Sequence, residues 1–245
     1  MRISKAWLIA TRDFKVFRRQ KNIWYSVVIL PVIISVLFPL ITYSVVTRKT
    51  GIPAAQLTGL LNTFSFFFVI GAAFVPLAIA SYSIVGEKVE KSLEPLLATP
   101  LTDGEILLGK TISAVLPTLI ALYTSAAVFM TAMDAATYGK LGYNYYPNWN
   151  IAPILLALVP IAVVLSVEYS IIVSSRVSDV RSANTFGALI VLPMAAIFYA
   201  SETGFITLDT NTVIIIAGIL LAVDVVLFFV STAGFNREEI LTKWK

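Results

Sequence analysis

An all-α membrane fold with six transmembrane helices is predicted by three observations. Hydrophobic residues make up 58% of the 245-residue chain and charged residues only 13%, with a mean hydropathy of +0.87. A soluble domain of this size has too little interior to hide that much apolar surface. The apolar residues also gather into six runs of about 20 residues, the length at which a helix crosses a bilayer. Finally, the charge is one-sided. Of 18 lysines and arginines, only Arg48, Lys49 and Lys140 fall outside the connections on one face of such a bundle. Short connections rich in Lys and Arg stay in the cytoplasm, so both termini are expected there, in a multi-pass protein of the cell (plasma) membrane.

The elements follow in order. Residues 1–21 carry Arg2, Lys5, Arg12, Lys15, Arg18, Arg19 and Lys21 around an apolar series, Ile3, Trp7, Ala10, Phe14 and Phe17. Steps of three and four residues predict a helix lying in the membrane interface, its apolar side in lipid. The plainer alternative is a basic flank that only sets topology. The charged region is long and the run after it is of full span length, which does not fit a signal peptide. Spans are predicted at about 23–46, 60–85, 111–132, 151–175, 184–200 and 212–232. Pro31, Pro39, Pro117, Pro153, Pro160 and Pro193 fall within them, which a bundle tolerates when neighbours satisfy the freed carbonyls. Met133 to Asn150 reads as an outer loop bearing Tyr138, Tyr143, Tyr145, Tyr146 and Trp149. Those aromatics suit a headgroup belt or, alternatively, a substrate lip. Arg176 to Ala183 reads as a tight polar loop, and Ser201 to Asn211 as a short outer turn. The whole, 1–245, reads as a single transmembrane domain.

The longest charged interruption is Gly86 to Thr111, GEKVEKSLEPLLATPLTDGEILLGKT. Val89, Leu93, Leu96 and Leu97 recur at helical spacing, with Glu87, Lys88, Glu90, Lys91 and Glu94 on the other face. Pro95 and Pro100 lack an amide donor and push the preceding residues out of the α region, so a helix here bends and then stops. Thr102 and Glu105 have capping-box spacing for a new helix. The product is a short kinked elbow between two spans, either a docking surface for another protein or a solvated loop packed on its own chain. Gly104 to Thr111 also matches G-x-x-x-x-G-K-[ST]. The pattern binds phosphate only after a strand and through an open backbone nest. Here helix formers fill the gap and Glu105 repels phosphate, so Lys110 reads as an anchor at the membrane border.

Two acids interrupt the spans, Glu168 in the fourth and Asp224 in the sixth. A charged residue at mid-bilayer costs about 2.5–3.5 kcal/mol on insertion scales, so each should face the protein interior or a wet path, or be protonated. They are candidate residues of a translocation path; the alternative is a buried hydrogen-bonding role. With no cysteine and no histidine, disulfides, thiol chemistry and the commonest metal ligand are excluded. The basic residues flank spans and form no separate nucleic-acid surface.

The run EKSLEPLLATPLTDGEILLGK resembles the signature of the ABC type-2 export permeases, membrane subunits of ATP-binding cassette transporters for sodium, drugs, polysaccharides and peptides. DFKVFRRQKN before the first span and SSRVSDVRSANTFGALIVLP around the fifth are similar too. The resemblance implies a six-span subunit, itself without a catalytic site or cofactor, that dimerises with a second copy or a paralogue. It implies two separate ATPase subunits, which hold ATP and Mg. The coupling helix would lie at 87–100, with Glu87, Glu90, Leu93, Glu94, Pro95, Leu96, Leu97 and Pro100 as coupling residues, and residues 1–21 would be the interfacial elbow helix. The competing classes are a stand-alone ion-coupled transporter or channel using Glu168 and Asp224, and an intramembrane enzyme. The first lacks a recognisable inverted repeat; the second lacks paired catalytic acids at a defined spacing.

Overall fold

The structure, a computed structural model, describes residues 3–18, 20–48, 53–89, 101–149, 151–177 and 179–234. Glu90 to Pro100, which include most of the predicted coupling residues, lie outside the described residues. All regular structure among the described residues is helical. The helices are α1 (Ile3–Phe17), α2 (Lys21–Arg48), α3 (Ala54–Phe74), α4 (Leu77–Ser81), α5 (Glu87–Val89), α6 (Asp103–Leu141), α7 (Val159–Arg176), α8 (Val180–Gly187), α9 (Val191–Glu202) and α10 (Thr210–Gly234). Wide π-helical turns at Tyr82–Gly86 and Ile154–Leu158 join α4 to α5 and lead into α7.

Among the described residues, six helical stretches are long and apolar enough to cross a membrane: Ile23–Arg48, Ala54–Gly86, Asp103–Leu141, Ile154–Arg176, Val180–Glu202 and Thr210–Thr232. The first and last agree closely with the sequence reading. The third does not, because α6 runs 39 residues where a span of 111–132 is expected. At its start the predicted capping box is present: Thr102 Oγ1 accepts from the Glu105 amide, and the Glu105 carboxylate accepts from the Thr102 amide. At its far end Ala, Met and Thr residues continue the helix into the predicted outer loop. It stops only at Gly142, which takes the left-handed conformation (φ 74°) that ends helices without steric cost to glycine. The fifth stretch also starts earlier than expected. Asp179 accepts from the Ser182 amide at 2.8 Å and caps α8, so part of the predicted polar loop is helix.

α6 packs against α1, α2, α3 and α7, while α7 packs against α3, α4, α8 and α10. Phe68 meets Phe129 edge-on at 5.2 Å, and Phe129 meets Tyr146 at 5.7 Å. Tyr146 is therefore a core residue rather than part of an aromatic belt. Its hydroxyl donates to the Leu61 carbonyl at 2.9 Å and lies 2.9 Å from Ser65 Oγ. Burial pushes its phenol well above the usual tyrosine range. Tyr138, Tyr143 and Trp149 remain exposed. Asp134 holds the Tyr145–Tyr146 turn by accepting from both amides. The outward faces of α2, α9 and α10 are lined with exposed aliphatic and aromatic side chains, as lipid contact requires.

Candidate functional site

The predicted apolar series on α1 meets the face that packs at Ala10 and Phe17, and only partly at Trp7 and Phe14. Ala6, Ile9, Ala10, Asp13 and Phe17 are buried, whereas Trp7 is half exposed and Leu8 more so. The small residues allow α1 to lie close on α6, and Gly109 completes the approach. A Cβ at Gly109 would sit 2.7 Å from Ile9 Cβ and 2.8 Å from the Ala6 carbonyl oxygen. Gly104 to Thr111 is therefore continuous helix, and its second glycine makes room for a neighbouring helix rather than for a phosphate.

That close contact brings Asp13 beside Lys110. Lys110 is fully buried, not an anchor reaching for a membrane border. Its ammonium donates to Glu87 Oε2 at 2.8 Å, to Ser83 Oγ at 3.3 Å and to the Ser83 carbonyl, and lies 3.8 Å from Asp13 Oδ2. Arg12, partly exposed, reaches Glu87 Oε1 at 3.5 Å, and Ser113 Oγ donates to Asp13 at 3.3 Å. A buried ammonium is tolerable only when its hydrogens and charge are met, and here three acceptors and two carboxylates meet them. Glu87 is the closer partner of Lys110. Burial pushes the Asp13 carboxyl above the ordinary aspartate value, with Lys110 opposing the shift and Glu87 adding to it.

The cluster joins three pieces far apart in sequence: α1, the end of the second span, and the start of α6. The π turn at Tyr82–Gly86 delivers Ser83 to it, and Gln20 just beyond α1 donates to the Tyr82 hydroxyl at 2.9 Å. Glu87 lies just before residues 90–100, and Lys110 lies in the second turn of the helix that follows them. Glu87 itself, predicted on the solvent side of the coupling helix, is buried against the bundle. Sequence reasoning missed the cluster because Asp13 drew no reading of its own and Lys110 read as an anchor at the membrane border. The available signal was an aspartate inside the small-residue stripe Ala6, Ala10 and Asp13, opposite a Gly-Lys pair.

The second constellation lies within the spans. Glu168 on α7 and Asp224 on α10 are both buried, on helices packed against each other. Glu168 Oε2 and both Asp224 carboxyl oxygens have no hydrogen-bond partner among the described residues. Ser166, close in sequence to Glu168, donates to the Ala73 carbonyl. The structure thus brings together two residues read separately as path candidates.

A family model described as ABC-2 family transporter protein matches residues 7–231. The chain belongs to the ABC-2 transporter family. No match is found among curated proteins. This ABC-2 protein is accordingly a multi-pass membrane component of a transporter, and its match extends from α1 through nearly all of α10.

Proposed function

We propose that this ABC-2 chain, as a single transmembrane domain, is the permease subunit of an exporter that moves its cargo out of the cell using ATP hydrolysed by separate ATPase subunits. Two permease chains, identical or paralogous, dock two such ATPases from the cytoplasmic side, where both termini lie. ATP and Mg belong to the partner; this chain supplies no catalytic group. The contact is the segment 87–100, a coupling helix presenting Glu90, Leu93, Glu94, Leu96 and Leu97 and stiffened by Pro95 and Pro100. The basic α1 lies in the cytoplasmic membrane interface as the elbow helix.

The observation that carries this reading is the buried bridge from Lys110 to Glu87 and Asp13. It ties the start of the coupling segment, at Glu87, to α1 and to the helix that follows the segment. A pull on the segment is therefore passed to three elements together instead of being absorbed by a loop. Glu87 acts in this clamp rather than as a surface contact, since its carboxylate is already engaged by Lys110 and Arg12.

The test is co-expression with a candidate ATPase, followed by pull-down and flux measurement in sealed vesicles. Leu93→Asp with Leu96→Asp should release the ATPase and abolish ATP-driven flux while the permease remains monodisperse. Unchanged attachment and flux would overturn the proposal, as would protease cleavage of residues 90–100 from outside intact cells. The unpartnered Glu168–Asp224 pair favours a second reading, an ion-coupled transporter or channel. Flux that follows an ion gradient and ignores ATP would establish it.

A further inference from the structure

A groove of about 730 Å³ runs between α2 and α6, with the end of α1 at its mouth. That volume lies within the range of about 300–1,000 Å³ typical of ligand sites. Its walls are apolar, formed by residues such as Val28, Val32, Val36, Leu116, Ile120 and Val128. The three hydroxyls in the walls are turned to backbone: Ser35 donates to the Val32 carbonyl, Thr124 to Ile120 and Ser125 to Pro31. Among the described residues no acidic side chain lines the groove, and its one charged lining residue is Arg18. Arg18 is exposed and makes no ion pair or side-chain hydrogen bond with the other described residues.

We infer that this groove is a binding site for an anionic phospholipid of the surrounding bilayer, with an acyl chain between α2 and α6 and the phosphate on Arg18. The dimensions agree with one leaflet. The rise from Trp24 to Val36 is about 18 Å along a helix, and half of a hydrocarbon core is about 15 Å. The charges agree as well, because an unpaired guanidinium with exposed Lys15 one turn away attracts a headgroup phosphate. A second copy seated groove to groove is disfavoured. A two-fold axis along the membrane normal would bring the two basic mouths together at the same depth. The inference rests only on membrane embedding, so the ATPase reading can fail without affecting it.

The experiment reconstitutes the full chain in bilayer nanodiscs of equal phosphatidylcholine and phosphatidylglycerol, extracts it in mild detergent, and identifies retained lipid by native mass spectrometry. Retained phosphatidylglycerol should exceed phosphatidylcholine about fivefold, the selectivity expected of one arginine near an anionic surface. Arg18→Gln should remove that preference, and Val32→Trp should fill the groove and lower total retention. Ile215→Trp, on the exposed face of α10, should retain lipid like the native chain. Retention in the bilayer's own ratio by the native chain would overturn the inference, even if Val32→Trp fails to fold. Undiminished retention by a folded Val32→Trp protein would do the same. Because the chain has no cysteine, Val32→Cys gives a clean third arm. Efficient cross-linking between copies through it would show that a second chain, not lipid, fills the groove.

Discussion

At the scale of single residues, the decisive feature is a lysine with no exposure held between two carboxylates. Removing one partner of a buried ion pair costs far more than the pair is worth, because the charge left behind has neither water nor a counter-ion. Lys110→Met should therefore destabilise the protein by about 3–5 kcal/mol, read as loss of monodisperse material and a lowered melting temperature in detergent. Adding Glu87→Gln and Asp13→Asn to Lys110→Met should restore much of that loss, since the neutral set leaves no buried charge. Asp13 alone predicts a pH dependence. Its folded-state carboxyl titrates above its ordinary value of 3.8, so the folded protein keeps this proton to higher pH than the unfolded chain. Stability from this site is full at acid pH and declines as pH rises from about 3.8 through the raised value. Thermal melts of the native chain and Asp13→Asn should then coincide at acid pH, with Asp13→Asn gaining relative stability as pH increases.

At the scale of elements, the clearest test is steric. A methyl group at Gly109 meets Ile9 and the Ala6 backbone below 3 Å, so Gly109→Ala must push α1 off α6. The cost should be about 1–3 kcal/mol, as for other overpacked contacts. Gly139 near the end of the same helix has nothing within 4 Å of a would-be Cβ. Gly139→Ala should therefore be stabilising by up to about 1 kcal/mol, the helix-propensity difference. Paired melts of the two variants, with hydrogen exchange of α1, would check both. These two glycines also show what was legible in the sequence. Span number and the Thr102–Glu105 cap could be read because composition and local spacing determine them. The extension of α6 to Leu141 could not, because its last turns are too polar to count as a span, yet contain nothing that breaks a helix. The packing face of α1 was not legible for a related reason: the apolar periodicity singles out Trp7 and Phe14, which stay partly exposed, and passes over Ala6, whereas close helix contact favours small side chains. The meeting of Asp13, Glu87 and Lys110 depends on tertiary approach, which no local pattern encodes.

At the scale of the whole molecule, charge is placed in two layers: compensated between α1, the second span and α6, and uncompensated between α7 and α10. The uncompensated layer is costly. An aspartate at mid-span carries an insertion penalty of about 2.5–3.5 kcal/mol, and no hydrogen bond among the described residues offsets it for Asp224. If Asp224 served only the bundle's cohesion, replacing it with leucine would remove that penalty and leave transport intact. If the pair with Glu168 meets a passing cation, a cationic cargo or water, the same replacement should leave assembly equal or better and transport severely impaired. We expect the second outcome. Asp224→Leu should purify at native yield with a melting temperature at or above that of the native chain, while vesicle flux falls by at least about tenfold, the effect of roughly 1.4 kcal/mol on a limiting step. Asp224→Asn separates charge from shape: it should share the transport defect if a negative charge is needed, and recover flux if a polar group suffices. Normal flux through a stably assembled Asp224→Leu protein would remove the pair from the translocation path and leave the clamp around Lys110 as the functional centre of the chain.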